Sequence, residues 1–363
     1  MGLRNEFIAW FNNDFQKDPL WAPMETCVEA SSWHRENSVA THTRMVVSEY
    51  ISWADKKWSH NTLLGAVACA FHDTGKPAAR TEKYSEKRGK YNSFGGHEII
   101  SARLWEDYAV RNQDRLKKLF RVSTEAFYRI MYGIGVIIEH HMPYEQSGDK
   151  LKDITITINE LDITNAFVNH LTADTHGRIA DDHPEKIAAV DQWIEDFLCI
   201  DNFKEVRITD KTIFMPVAPS GSGKSTLRVK LQDSIDFEYY SWDALRLEMY
   251  DSDYKKAYEM SVKDNGFNNK VMKVYYELLK TGKNIYIDNT NLGRRRRAPY
   301  IDAARKAGYQ VHGFLLPNTI ETLLYRQTIR GDKEVPEHAV RQHYMSLQLP
   351  LYGEFDNIQT IVT

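Results

Sequence analysis

A chain of 363 residues with 42% hydrophobic and 27% charged content has the balance of a soluble globular protein and the length of about two domains. Its net charge of −3 excludes bulk basicity as a means of holding nucleic acid and leaves that task to local patches. Cys27, Cys69 and Cys199 are scattered without a CxxC pair, and neither an apolar signal segment nor a run of about 18 apolar residues occurs, so a cytoplasmic protein without membrane contact is expected.

Residues 1–200 are rich in histidine, tryptophan and helix formers. Helical periodicity runs through Leu63–Asp73, His97–Ala109, Ala126–His141 and Ile163–Thr175. The alternating "DITITI" (Asp153–Ile158) reads as a short strand, the one plausible departure from an all-helical domain. A charged stretch, residues 201–210, reads as a linker. From residue 211 to 363 the pattern changes. Thr212–Ala218 predicts a buried strand, followed by a Gly/Ser turn and a helix, and Asn284–Asn289 and Tyr309–Leu316 predict further strands bracketed by helices. Strand–helix alternation of this kind makes a parallel α/β sheet. The one local charge block is Arg294–Arg297, which fits either recognition of a phosphodiester backbone or a solvated helix face.

Within the helical part, "HDTGKP" (His72–Pro77) places a histidine beside an aspartate. Chance supplies roughly one such pair in a chain of this composition, so its meaning depends on further ligands. They follow in the order His42, His72–Asp73, His97, His140–His141, Asp174. Imidazole and carboxylate together suit Mn, Fe, Co, Ni or Zn better than Ca. This order, with "WHRENSVATHT" (Trp33–Thr43) and "FGGHEIISA" (Phe94–Ala102), resembles the HD phosphohydrolase superfamily, in particular the HD domain attached to bacterial tRNA nucleotidyltransferases, over roughly residues 20–185. The resemblance implies a helical bundle holding two divalent metals. His42, His72, Asp73 and Asp174 would hold one. Asp73, His97 and either His140 or His141 would hold the other, with Asp73 bridging; of the two neighbours we favour His140. Lys76 and Arg178 would grip the substrate phosphate, and His34 and Glu36 would back the ligands.

In the second part, "APSGSGKST" (Ala218–Thr226) follows a predicted strand and opens a predicted helix, the context of a P-loop. Its glycines let backbone N–H groups close around phosphate oxygens at a helix N-terminus. Gly221, Ser222, Gly223, Lys224, Ser225 and Thr226 would cradle the phosphates of ATP or another nucleoside triphosphate. Lys224 would reach the β/γ-phosphates, and Ser225 would bind Mg²⁺. Ala218 stands where the pattern has its first glycine. In "SWDALR" (Ser241–Arg246), Asp243 is placed to accept a proton from an attacking hydroxyl, and Arg246 to hold an adjacent phosphate. "RQTIRGDKEVP" (Arg326–Pro336) predicts a helix leading into a charged lid, with Arg330 closing over the transferring group. These motifs, with "IDNTNL" (Ile287–Leu292) and "LPLYG" (Leu349–Gly353), resemble the 5′-polynucleotide kinase domain of phage and bacterial end-repair enzymes over roughly residues 210–355. The resemblance implies Asp243 as general base, Arg246 as acceptor anchor and Arg330 as lid arginine. A motif aspartate of that family falls on Asn289 here, with Asp288 beside it, which leaves the role of this turn open. His312, His338 and His343 are read as structural.

An HD domain followed by a polynucleotide kinase domain resembles bacterial and phage fusions that heal RNA ends. The resemblance implies transfer of the γ-phosphate of ATP to a 5′-OH end. It also implies removal of a 2′,3′-cyclic, 2′- or 3′-phosphate from the other end, on RNA or DNA, ahead of a separate ligase. Two alternatives remain: a nucleotide phosphohydrolase fused to a small-molecule kinase, and a non-catalytic nucleotide sensor.

Overall fold

The computed structural model describes residues 2–29, 34–54, 57–86, 89–145, 147–181, 183–200, 209–250, 253–331 and 334–362. The chain divides into two compact units, Met1–Phe203 and Lys204–Thr363. Most of the expected linker, residues 201–208, lies outside the described residues, as do residues 332–333 of the expected lid and Trp33 of the first histidine motif.

The first unit is organised around the helix His60–Phe71. Ser59 opens it with a capping box completed by Thr62, and every residue from Leu63 to Phe71 is buried. A helix apolar on all sides must be surrounded. The helices Val39–Trp53, His97–Arg111, Thr124–Glu139 and Thr164–His176 all pack against it. His72 and Asp73 come directly after its last turn, so this packing sets them in the middle of the bundle.

Two expectations for this unit are corrected. "DITITI" belongs to the helix Asp149–Glu160, not to a strand. Its alternation has no polar face: Ile154, Thr155, Ile156, Thr157 and Ile158 are all buried. The threonines are satisfied inside the helix, where Thr155 and Thr157 donate to the carbonyls of Leu151 (2.9 Å) and Asp153 (2.7 Å). The unit also carries an antiparallel pair, β1 (Thr81–Ser85) and β2 (Gly89–Ser93), which no apolar alternation announces because most of its residues are solvated.

The second unit is a five-stranded parallel sheet of β3 (Thr212–Val217), β4 (Glu238–Tyr240), β5 (Ile285–Ile287), β6 (Gln310–Leu315) and β7 (Asn357–Thr360), in the order β4-β5-β3-β6-β7. Central β3 is wholly buried, as its unbroken apolar run requires. The helix Lys224–Gln232 follows β3, Trp242–Tyr250 follows β4, and Arg294–Lys306 follows β5. The C-terminal strand ends are where parallel sheets bind ligands.

The arginine block divides. Arg297 is fully buried, its guanidinium on Glu354 Oε1 (3.0 Å) and Oε2 (2.8 Å) and on the carbonyl oxygens of Asn291, Leu292 and Gln348. It braces the chain and cannot read a ligand, whereas Arg296 is exposed and borders the cleft described below. Among the described residues no helix is long and apolar enough to cross a membrane.

Candidate active sites

The first unit brings six expected side chains together in two groups, His42–His72–Asp174 and Asp73–His97–His141. Within each group the ligand atoms all lie within 4.8 Å of one another. Asp73 reaches both groups: Oδ1 is 3.3 Å from His97 Nε2 and 3.8 Å from His141 Nε2, while Oδ2 is 3.2 Å from His72 Nε2 and 3.6 Å from His42 Nε2. The geometry favours His141 over the preferred His140, whose Nε2 lies 3.9 Å from Glu139 Oε1. The helix ends at Glu139, and the backbone of His140 (φ −120°, ψ 20°) has already left helical geometry.

The hydrogen bonds fix which atoms face inward. His72, His97 and His141 each turn Nδ1 to the carbonyl oxygen three residues upstream, at 2.8, 2.8 and 2.7 Å. A carbonyl only accepts, so each Nδ1 carries the proton and each Nε2 offers a lone pair. His97 and His141 then bring two such atoms within 3.2 Å, and His42 and His72 within 3.4 Å. Lone pairs and carboxylates converging in a buried space call for a cation among them, so the donor set fits divalent transition metals. Burial, then the neighbouring His97 and His72, holds His141 well below its ordinary pKa and keeps it neutral, as a ligand must be.

Behind these atoms stands a further ring of partners. Glu36 Oε1 lies 2.9 Å from His42 Nδ1 and 2.8 Å from His34 Nδ1. Burial works against charge on His42, but Asp174 and Glu36 outweigh it and raise its pKa to about 9; a metal ion at Nε2 would take the place of that proton while Nδ1 stays on Glu36. Lys76 Nζ sits 2.6 Å from Glu29 Oε1 and 2.8 Å from Asp73 Oδ2. Arg178 donates to Asp174 Oδ2 at 2.8 Å and to its carbonyl at 3.0 Å. The two cations expected to grip phosphate are therefore bonded to site carboxylates. Burial disfavours ionised Asp73 and Asp174, yet His72 and Lys76 hold the first, and Arg178 and His42 the second, well below the ordinary carboxylate range.

Sequence reading missed Glu29 and His170. Glu29 sits in irregular backbone, beside the bridge between Val28 and Ser38, and carried no signal. His170 carried one: it precedes Asp174 by four residues on a helix. It is fully buried, with Nδ1 3.2 Å from Cys69 Sγ and its ring centroid 5.4 Å from that of His72. The placement of His141 has a measurable consequence. His141→Ala is expected to weaken Mn²⁺ binding by at least about tenfold more than His140→Ala, in calorimetric titration.

In the second unit, the turn after β3 wraps back on itself. Gly221 (φ 87°) and Gly223 (φ 91°) occupy the left-handed region that favours glycine. A Cβ on Gly221 would also stand 2.5 Å from Gln327 Nε2. Gly221→Ala is therefore expected to weaken Mg-ATP binding by about tenfold or more, read by titration, since such backbone strain costs of order 1–3 kcal/mol. Ala218 fits in place of glycine because its methyl group lies in the core with Phe214, Leu227 and Phe237. Ser222 Oγ donates to the Pro219 carbonyl at 2.8 Å, bracing the loop. Lys224 Nζ donates to the carbonyls of Pro219 (2.7 Å) and Ala218 (3.4 Å). Burial, with Arg330 adding to it and Asp288 and Asp243 opposing, pushes the Lys224 pKa down to about 8.

Lys224, Ser225, Asp243, Arg246, Asp288 and Arg330 share one cleft of about 1990 Å³. Ordinary small-molecule pockets hold about 300–1,000 Å³. Arg246 donates to Asp243 Oδ1 (2.6 Å) and Ser261 Oγ (2.9 Å), and its guanidinium lies 5.1–5.7 Å from the ring centroids of Tyr258, Phe267 and Trp242. The Tyr254 hydroxyl donates to Asp243 Oδ2 at 3.3 Å. The turn left open by the sequence now has two parts. Asn289 Oδ1 accepts from the Trp242 backbone N–H at 3.1 Å, fixing the start of Asp243's helix, and Asp288 borders the cleft while accepting from the Tyr239 hydroxyl at 2.9 Å. His312 packs edge-on against Phe214, as a structural residue does. His338 and His343, also read as structural, both border the cleft, and His343 Nδ1 lies 3.4 Å from Ser220 Oγ.

Residues 214–350 match the family model described as an AAA domain, a span that holds the phosphate loop, Asp243, Arg246 and Arg330. The match begins beyond the first unit. No curated protein matches the chain. Among solved structures, a gluconokinase from Sinorhizobium meliloti 1021 is similar at 17% identity, covering 43% of this chain and 83% of its own, with a TM-score of 0.32. At that distance the likeness says nothing of substrate. The phosphate loop, the parallel sheet and the family match together make the second unit a P-loop domain.

Proposed function

We propose that the chain is an end-healing enzyme for broken polynucleotide strands, with a kinase in its second unit and a metal-dependent HD-type phosphohydrolase in its first. One observation carries the acceptor assignment. Asp243 and Arg246 stand 2.6 Å apart and share a wide cleft with Lys224 and Arg330. A carboxylate beside a ring-enclosed guanidinium matches a hydroxyl that carries a phosphodiester next to it. In this reading Asp243 takes the proton of a 5′-OH, and Arg246 binds the adjacent phosphate. Lys224 and Arg330 stabilise charge on the transferring group, and Ser225 holds Mg²⁺ with ATP.

The first unit would act on the other end. His42, His72, Asp73 and Asp174 would hold one metal, and Asp73, His97 and His141 the second. Bound metals supply polarisation of phosphoryl oxygens and a water of lowered pKa. Lys76 and Arg178 add positive charge while fixing the two aspartates. The substrate in this reading is a 2′,3′-cyclic, 2′- or 3′-phosphate on RNA, or a 3′-phosphate on DNA, and the healed ends suit a separate ligase.

The test of the kinase reading is acceptor competition. With γ-labelled ATP and Mg²⁺, a 5′-OH oligonucleotide should take the label at its 5′ end and outcompete free nucleosides and sugars. Preference for a nucleoside or a sugar acid would overturn the polynucleotide assignment and leave a small-molecule kinase.

A further inference from the structure

We infer that Gln327 is the positioning residue that holds Arg330 at the phosphate loop, an inference that rests on the reading of Arg330 as acting on the donor phosphate. Gln327 lies in the helix Ile320–Thr328 and is buried, 3% exposed, although a glutamine amide is costly to bury without partners. Its Oε1 accepts from Arg330 at 3.3 Å and from the Val335 backbone N–H, also at 3.3 Å. One oxygen thus fixes both the arginine and the returning chain five residues later.

The other end of the same amide faces the phosphate loop. Nε2 donates to the Leu323 carbonyl at 3.4 Å and stands 2.5 Å from where a Cβ on Gly221 would be. The amide therefore lies directly against the glycine of the loop. The neighbouring residues fasten this helix to the same loop. Arg326 donates to the Gly221 carbonyl at 3.2 Å and to Asn318 Oδ1 at 3.0 Å, and Asn318 Nδ2 reaches the Ser222 carbonyl at 3.4 Å. Any displacement of the loop is felt at Gln327, and through Oε1 at Arg330.

The chemistry of an amide suits this task. A guanidinium has five N–H donors in a rigid fork, so one contact with Oε1 leaves the rest for phosphate oxygens. A neutral acceptor orients Arg330 without cancelling its charge. A carboxylate at the same place would pair with the charge that the transferring phosphoryl group needs.

The test is a double-mutant cycle on the full chain with Gln327→Leu, Arg330→Gln and both together, supplemented by Gln327→Glu, which keeps the side chain's shape. ADP formation from Mg-ATP is read with and without a 5′-OH oligonucleotide, and thermal unfolding is recorded for each variant. Gln327→Leu and Gln327→Glu should each lower kcat by about tenfold or more while KM for ATP moves far less, the pattern of an interaction made in the transition state. The double variant should be no slower than Arg330→Gln alone, because a residue acting through another adds nothing once that other is gone. If the single losses multiply in the double variant, or if KM rises while kcat holds, Gln327 does not act through Arg330 and the inference is overturned while Arg330 keeps its role. If Arg330→Gln alone leaves turnover intact, the reading of Arg330 fails and takes the inference with it.

Discussion

Lys224→Ala is expected to lower phosphate transfer from ATP by about a hundredfold or more, the size of loss that follows removal of one preorganised contact to a developing charge. The ammonium now folds back onto the carbonyls of Pro219 and Ala218, and burial is the first cause of its pKa being lowered to about 8. A bound phosphate replaces those carbonyls with a full opposing charge. Alanine leaves the backbone of the loop in place, since the turn depends on Gly221 and Gly223, so the loss should fall on turnover and ATP affinity and spare folding. Lys224→Arg should rescue little, because a planar fork cannot enter the space of a compact ammonium. Steady-state transfer of labelled phosphate, beside thermal unfolding of each variant, checks both statements. Turnover within a few-fold of the parent would remove the loop from the chemistry.

Asp73→Asn is expected to abolish the proposed phosphohydrolase while the kinase survives. The carboxylate touches both groups of histidines and Lys76, so a neutral amide of the same shape weakens every one of those contacts. Partners one step removed from a metal cost about 10–100-fold in affinity or activity when changed. A direct ligand shared by two groups should exceed the upper figure. The two compact units call for a control on each: kinase turnover reports that the second unit is intact, and the helical circular dichroism of the variant reports on the first. Elemental analysis should find metal depleted, and phosphate release from a 3′-end should vanish. Full metal content in Asp73→Asn would show that Asp73 is not a ligand.

The sites differ in how much of them the sequence displayed. The phosphate loop is local: strand, two glycines, lysine and helix follow one another, and each has a backbone reason to be where it is. The histidine cluster is not local. Its members come from three helices and from the segments that follow two others, and only their order along the chain hinted that the bundle would bring them together. The choice between His140 and His141 was beyond the sequence, because it turns on the direction of the chain just past Glu139. Glu29 was hidden in irregular backbone, whereas His170 could have been found from its four-residue spacing to Asp174.

Fold reading failed where pattern and burial part company. "DITITI" alternates as a strand does, but the buried stretch Ile154–Ile158 of a helix accepts the same letters once its threonines bond to their own backbone. The β1–β2 pair is too solvated to leave an apolar signature, and β7 (Asn357–Thr360) is short and polar for an edge strand. Likewise, four consecutive arginines gave no hint that Arg297 is consumed by Glu354 while Arg296 faces the cleft.

The most direct measurement is product analysis on RNA and DNA strands that carry a 5′-OH at one end and a 2′,3′-cyclic phosphate or 3′-phosphate at the other, with Mg-ATP and added Mn²⁺. The account predicts a 5′-phosphate and a freed 3′ end on the same strand, the first lost in Lys224→Ala and the second in Asp73→Asn. Strands returned unchanged, with ATP consumed only when a small metabolite is supplied, would contradict it.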